Sequence, residues 1–192
     1  MINFNNEEIG ISAEIAIADI FDIKIPDYYR ERGRQEVIDV IKPAVITVFE
    51  KHQLPKPQKH IAEDQNPIDF ILDNNLTLSV KTNQKSLGKV APQRIGQPTS
   101  KTYFEYFKDI IDEDVPDSYE NRIELFKKIT IEKIDLVMKE YWNNIFECDY
   151  YLHFFNIIDK IGNINSNPSY IVLNKPNKSP DWKKMRLPLL KH

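Results

Sequence analysis

The stretch 67–81, PIDFILDNNLTLSVK, sets one acid, one hydroxyl and one ammonium at a spacing that strand alternation could bring together. Pro67–Leu72 and Leu76–Thr82 read as two short extended runs. Asp73, Asn74 and Asn75 between them tolerate the left-handed backbone of a tight reversal. With those three as the turn, Leu72 faces Leu76, Phe70 faces Leu78 and Asp69 faces Ser79, and opposite residues point to one side of a sheet. Phe70, Leu72, Leu76, Leu78 and Val80 then line an apolar face, while Asp69, Thr77, Ser79 and Lys81 share the other. A two-residue turn would set Asp69 beside Val80 and mix the faces, so the spacing predicts the three-residue turn with Asn75 left-handed. A carboxylate that can hold a hard divalent cation, next to an ammonium that can stabilise developing charge, is equipment for phosphodiester hydrolysis.

The residues that follow suit the same substrate. No acid occurs from Ser79 to Tyr103. Lys85, Lys89 and Lys101 can neutralise phosphates there, and Gln84, Gln93, Arg94 and Gln97 carry the planar groups that read base edges in pairs of hydrogen bonds. Thr99 and Ser100 open a helical pattern and could offer hydroxyl and main-chain donors to phosphate. Glu14 stands alone in the apolar run ISAEIAIA, where a buried carboxylate would need a partner or a metal. Glu63 and Asp64 lie just before the hairpin and could reach the same place. His60 could join Glu63 and Asp69 in a histidine-containing metal cluster, but four histidines without paired ligand spacing argue against one. Cys148 reads as a buried or half-buried residue at a helix end, with no arrangement that would make it a nucleophile.

The elements that must position these groups follow from periodicity. Asn6 to Phe21 repeats its apolar residues at helical spacing, with Ser12 or Asn6 as the cap. A second helical pattern runs from Tyr29 to His52, with Pro43 as a kink or break. Residues 53–66 read as loop, as do 83–98. Helices are expected over Thr99–Ile111 and Asp117–Phe146, and strands over Tyr150–Ile158 and Tyr170–Leu173. This is a mixed α/β pattern, and 192 residues suit a single domain.

The net charge of −3 conceals a segregation of sign. Besides the basic loop, Lys175, Lys178, Lys183, Lys184, Arg186 and Lys191 cluster near the carboxyl terminus against Asp181. Acids gather at 105–120 and 132–149. One cysteine excludes an internal disulfide framework and a cysteine zinc cluster. Glu7 and Glu8 stand where a signal peptide would carry bases, and no apolar run approaches membrane-spanning length, so a cytoplasmic protein is expected. The basic tail reaches His192 without an obvious closing element, which leaves room for a longer enzyme of which this is part.

PID followed by SVK resembles the PD-(D/E)xK motif of the restriction-type nucleases, over roughly the first half of the chain. Asp69 matches the motif's Asp and Lys81 its Lys. Ile68 separates the proline from the Asp, and Ser79 stands where the second acid usually lies, as in the PD…SxK branch of restriction endonucleases. In that branch a glutamate from a following helix replaces the missing acid, which would be Glu105, although Glu105 is farther from Lys81 than the branch's usual spacing. Glutamates from the first helix ligate metal in many similar nucleases, which would be Glu14. The resemblance implies a restriction-endonuclease-like mixed sheet flanked by helices, Mg²⁺ as cofactor and double-stranded DNA as substrate. It also implies a protecting DNA methyltransferase as partner and leaves room for a homodimer. A structure-specific repair or junction nuclease, or a non-catalytic DNA-binding protein on a degenerate nuclease fold, would share most of these features. A loop rich in Gln and Arg favours sequence reading over the first, and Ser79 is what motivates the second.

Overall fold

The computed structural model describes residues 4–62, 66–87, 95, 101–159, 161–182 and 184, without the side chains of 101 and 102. Its contacts group into two compact units, Met1–Val90 with Cys148–Lys175, and Ala91–Glu147 with Pro176–His192.

Helix α1 (Asn6–Ile20) opens the first unit. Its cap is Asn5, and neither Ser12 nor Asn6 fills that role. The Asn5 side chain accepts from the Glu8 N–H at 2.8 Å and the Glu8 carboxylate accepts from the Asn5 N–H at 2.9 Å, so two otherwise unpaired donors are satisfied reciprocally. Ser12 is buried, and its hydroxyl donates to the Glu8 carbonyl at 2.6 Å and accepts from the Arg34 N–H at 2.8 Å. The helical pattern beginning at Tyr29 resolves into α2 (Asp27–Arg30) and α3 (Gln35–His52). Helix α3 continues through Pro43. That residue is exposed, so its lost main-chain bond falls on the solvated side while Val37, Ile38, Ile41, Val45, Val48 and Phe49 stay buried.

A five-stranded mixed sheet in the order β1-β2-β3-β4-β5 carries these helices. Strand β1 (Pro57–His60) falls within 53–66, where the prolines predict loop. Yet Pro57 is its first residue, on an edge strand, where a missing N–H costs the ladder nothing. Strands β2 (Phe70–Leu72) and β3 (Thr77–Thr82) form the hairpin in the register that side-chain alternation requires: Phe70 pairs with Leu78 and Ile71 with Thr77. The Leu72 N–H donates to the Leu76 carbonyl at 2.7 Å. Asn74 and Asn75 turn at φ 60° and 59°. Strand β4 (Tyr150–Phe155) lies parallel to β3, and β5 (Ser169–Asn174) antiparallel to β4.

One face of the sheet, through Phe70, Leu72, Leu78, Val80, Leu152 and Phe154, joins Ile9, Ile15, Ile17, Ile41, Val45 and Val48 in a single core. Alternation sends Ser79, Lys81, Tyr151 and His153 to the opposite face.

The second unit holds α4 (Lys101–Glu105), α5 (Tyr119–Glu132) and α6 (Ile134–Ile145). Its own core gathers Ile95, Tyr103, Phe104, Phe107, Leu125, Ile129 and Val137. The pattern expected as one helix over 117–146 breaks at Lys133, whose backbone leaves helical geometry at φ −131°, ψ 37°. Its ammonium is anchored on the Ile110 carbonyl and Asp112, both at 2.6 Å. The pattern over 99–111 gives α4 and then tighter turns, the Phe107 N–H reaching back only to Phe104. No described helix is long and apolar enough to cross a membrane.

Candidate active site

Asp69 stands one residue before β2, where pairing with β3 persists through a 2.9 Å bond from its N–H to the Leu78 carbonyl. Beyond that point β3 runs on without β2 beside it, and the Asp69 carboxylate fills the gap. Its Oδ2 accepts from the Val80 N–H at 2.5 Å and from the Ser79 hydroxyl at 3.3 Å, and lies 3.5 Å from the Lys81 ammonium. The hairpin therefore brings Asp69, Ser79 and Lys81 together. Thr77, assigned to the same face, is taken up elsewhere: its N–H and hydroxyl donate to Asp149 at 2.9 and 2.7 Å, tying the start of β3 to that of β4.

Asp69 is 4% exposed, and burial pushes its carboxyl up to about 7. The Lys81 ammonium and the Val80 N–H oppose that rise, while the charge of Glu14 adds to it. Two carboxylates thus feel each other's charge, one from the first helix and one from the hairpin.

Glu14 is buried and partnered. The Tyr29 hydroxyl donates to its Oε2 at 2.6 Å, and His60 Nε2 lies 2.7 Å from the same oxygen. His60 packs edge-on against Tyr29 and Phe70, with ring centroids 4.9 and 5.1 Å away. Burial first, and then the charge of Glu14, raise the Tyr29 phenol far above its ordinary value, so it stays a donor. His60 is thus a partner of Glu14. Among the described residues no three His, Cys, Asp or Glu side chains converge as a metal cluster. A divalent cation still fits the donor set, because magnesium commonly takes one or two carboxylates and fills its shell with water and phosphate. A cation held by Asp69 and Glu14 would also offset what the Glu14 charge adds to the rise of the Asp69 carboxyl.

The remaining candidates are less concentrated. Glu105 is exposed at the end of α4 in the second unit. The Gln84 amide donates to the Phe4 carbonyl at 2.7 Å, and the Gln84 and Lys85 carbonyls accept from Ile158 and Asn156, so the start of the basic loop is bound to main chain. The Lys85 side chain is exposed. Lys89, Gln93, Arg94, Gln97, Thr99 and Ser100 lie outside the described residues, as do Glu63, Asp64, Lys183, Arg186 and Lys191. Lys101 opens α4. In the tail, Lys184 pairs with Asp181 at 3.0 Å. Burial pushes the Cys148 thiol up to about 11, which leaves it protonated and unreactive.

Two neighbours of the site do not stand out in the sequence as functional residues. Tyr29 reads there only as the start of a helical pattern. His153 sits within an apolar strand, although a lone imidazole in YYLHFF, in alternation with Tyr151, is a visible signal.

Fold and site together describe a mixed α/β protein whose sheet carries a serine and a lysine on one strand, with a buried acid beside them just before the neighbouring strand. Over 122 residues, 60% of this chain, the sequence is 38% identical to the Type II restriction enzyme CviAII of Paramecium bursaria Chlorella virus 1. The chain spans about a third, 33%, of that enzyme's length. No protein-family profile and no solved structure matches it.

Proposed function

We propose that the protein is a sequence-specific, Mg²⁺-dependent DNA endonuclease of the Type II restriction kind, with PID…SVK as a variant PD-(D/E)xK motif. The observation that carries this reading is the buried Asp69 carboxylate set against Ser79 and, at 3.5 Å, Lys81. The similarity to a protein named as a Type II restriction enzyme supports it.

Asp69 and Glu14 would hold the cation, with Glu105 as the alternative second acid. Bound magnesium would polarise the scissile phosphate and acidify an attacking water. Lys81 orients that water and stabilises charge gathering on the phosphate oxygens, and Ser79 fixes the rotamer of Asp69 through its hydroxyl. Tyr29 and His60 hold one oxygen of Glu14, so the other would be the one left to hold a cation. Gln93, Arg94 and Gln97 read base edges. Lys85, Lys89 and Lys101, with Thr99 and Ser100, grip phosphates, and Gln84 contributes from its tethered position. Residues 1–192 supply the nuclease domain, alone or as part of a longer enzyme, acting on double-stranded DNA in the cytoplasm, with room for a homodimer and beside a methyltransferase that protects the same site. Incubating phage DNA with the protein, with and without Mg²⁺, and sequencing the ends tests this. Discrete metal-dependent ends at one short sequence, carrying 5′-phosphates, are expected; no cleavage, or ends scattered without sequence preference, overturns it.

A further inference from the structure

Nothing in this arrangement uses His153. It lies on β4 as the direct partner of Lys81 on β3, and neighbouring residues in paired strands leave the sheet on the same side. The ring is 1% exposed, and its Nε2 is buried without a hydrogen-bond partner among the described residues. Tyr151 and Phe155 flank it on the same strand face, edge-on, at centroid distances of 6.2 and 6.0 Å, and fix its plane. Burial first, and then the Lys81 ammonium, hold the imidazole below its ordinary pKa, so at neutral pH one ring nitrogen can accept a hydrogen bond.

A polar atom buried without a partner is costly, and such groups persist where a ligand or a moving neighbour completes them. Lys81 is the neighbour placed to do so. In the resting site its ammonium lies against Asp69 Oδ2. Engaging a cation would draw the Asp69 carboxylate away from the ammonium, and an acceptor on the neighbouring strand would add to what aims Lys81.

We propose, resting on the endonuclease reading above, that His153 is a positioning residue for Lys81: its ring nitrogen accepts a hydrogen bond from the Lys81 ammonium when Asp69 engages its cation. The lysine then exchanges one acceptor for another across adjacent strands and keeps its aim on the scissile phosphate. A glutamine side chain can offer an acceptor at about the reach of Nε2, and leucine fills the slot without one.

The test uses His153→Leu and His153→Gln in the full chain. Single-turnover cleavage with Mg²⁺ should fall ~10–100-fold in His153→Leu, the range for residues that orient a catalytic group from behind it. His153→Gln should stay close to wild type. DNA affinity without metal should be equal in all three proteins, and the thermal midpoint of His153→Leu should not drop, because the unpaired atom is gone. In the ¹⁵N spectrum, adding Mg²⁺ should shift the His153 Nε2 resonance in the wild type but not in Lys81→Ala. Cleavage by His153→Leu at the wild-type rate, with the wild type active, overturns this inference and leaves the endonuclease reading standing. The inference also fails, with that reading intact, if both variants lose rate and midpoint together, or if the Nε2 shift survives in Lys81→Ala. A wild type that does not cleave with Mg²⁺ overturns both.

Discussion

Replacing Asp69 with asparagine should stabilise the metal-free protein, and increasingly so as pH rises. The carboxyl is buried and held at about 7, well above its value in an unfolded chain, so between those values the folded state keeps a proton that the unfolded state has released. Its stabilising contribution is complete below pH ~4 and is lost as pH rises to about 7. Moving a carboxyl from ~4 to ~7 corresponds to roughly 4 kcal/mol. That is an upper figure, because Lys81 can rearrange and water can enter the site once Asp69 ionises. Asparagine keeps the shape, can still accept from the Val80 N–H, and carries no charge to desolvate. Urea denaturation of both proteins in chelator at pH 5 and pH 8 measures the difference. The variant should gain on the wild type by at least ~1 kcal/mol between the two, while its cleavage with Mg²⁺ is abolished. A gap that stays constant or closes with rising pH would refute the claim that Asp69 is a desolvated acid in want of a cation.

Glu14 separates two roles by the choice of replacement. Glu14→Gln, which can keep partners for Tyr29 and His60, should lose ~100-fold in cleavage with little change in stability, whereas Glu14→Ala leaves both partners unpaired in a buried site and should cost ~1–3 kcal/mol by denaturant titration. Arg94→Ala should weaken discrimination between the cognate site and a single-base variant by ~1–3 kcal/mol in filter binding. Lys89→Ala should instead weaken binding on all sequences alike and lower the magnitude of the salt slope by about 1.

The hairpin is legible in the sequence because two constraints agree: three residues tolerant of left-handed backbone, and an alternation that gives one clean apolar face in only one register. Its register then fixes the grouping of Asp69 with Ser79 and Lys81. Glu14 is legible as an anomaly, a lone acid in an apolar helix. Its partners are not, because Tyr29 and His60 reach it from 15 and 46 residues away and neither stands out locally. Strand β1 is hidden by Pro57, since local rules penalise proline without knowing that the strand lies at an edge. The break at Lys133 is hidden for the opposite reason, because apolar spacing runs on through it while a tertiary anchor on Ile110 and Asp112 ends the helix. The Asn5 cap loses out to Ser12 and Asn6 because cap preference alone does not choose among neighbouring polar residues.

If Lys81 acts on the scissile phosphate from a site built around Asp69, apart from the groups that recognise DNA, then removing its ammonium must separate cleavage from binding. Cleavage and filter binding of Lys81→Ala on a cognate duplex, beside the wild type and with Mg²⁺ in the cleavage arm, test it most directly. Cleavage should be abolished or strongly reduced while specific binding remains largely intact. Cleavage by Lys81→Ala at the wild-type rate would mean that Lys81 has no part in the chemistry.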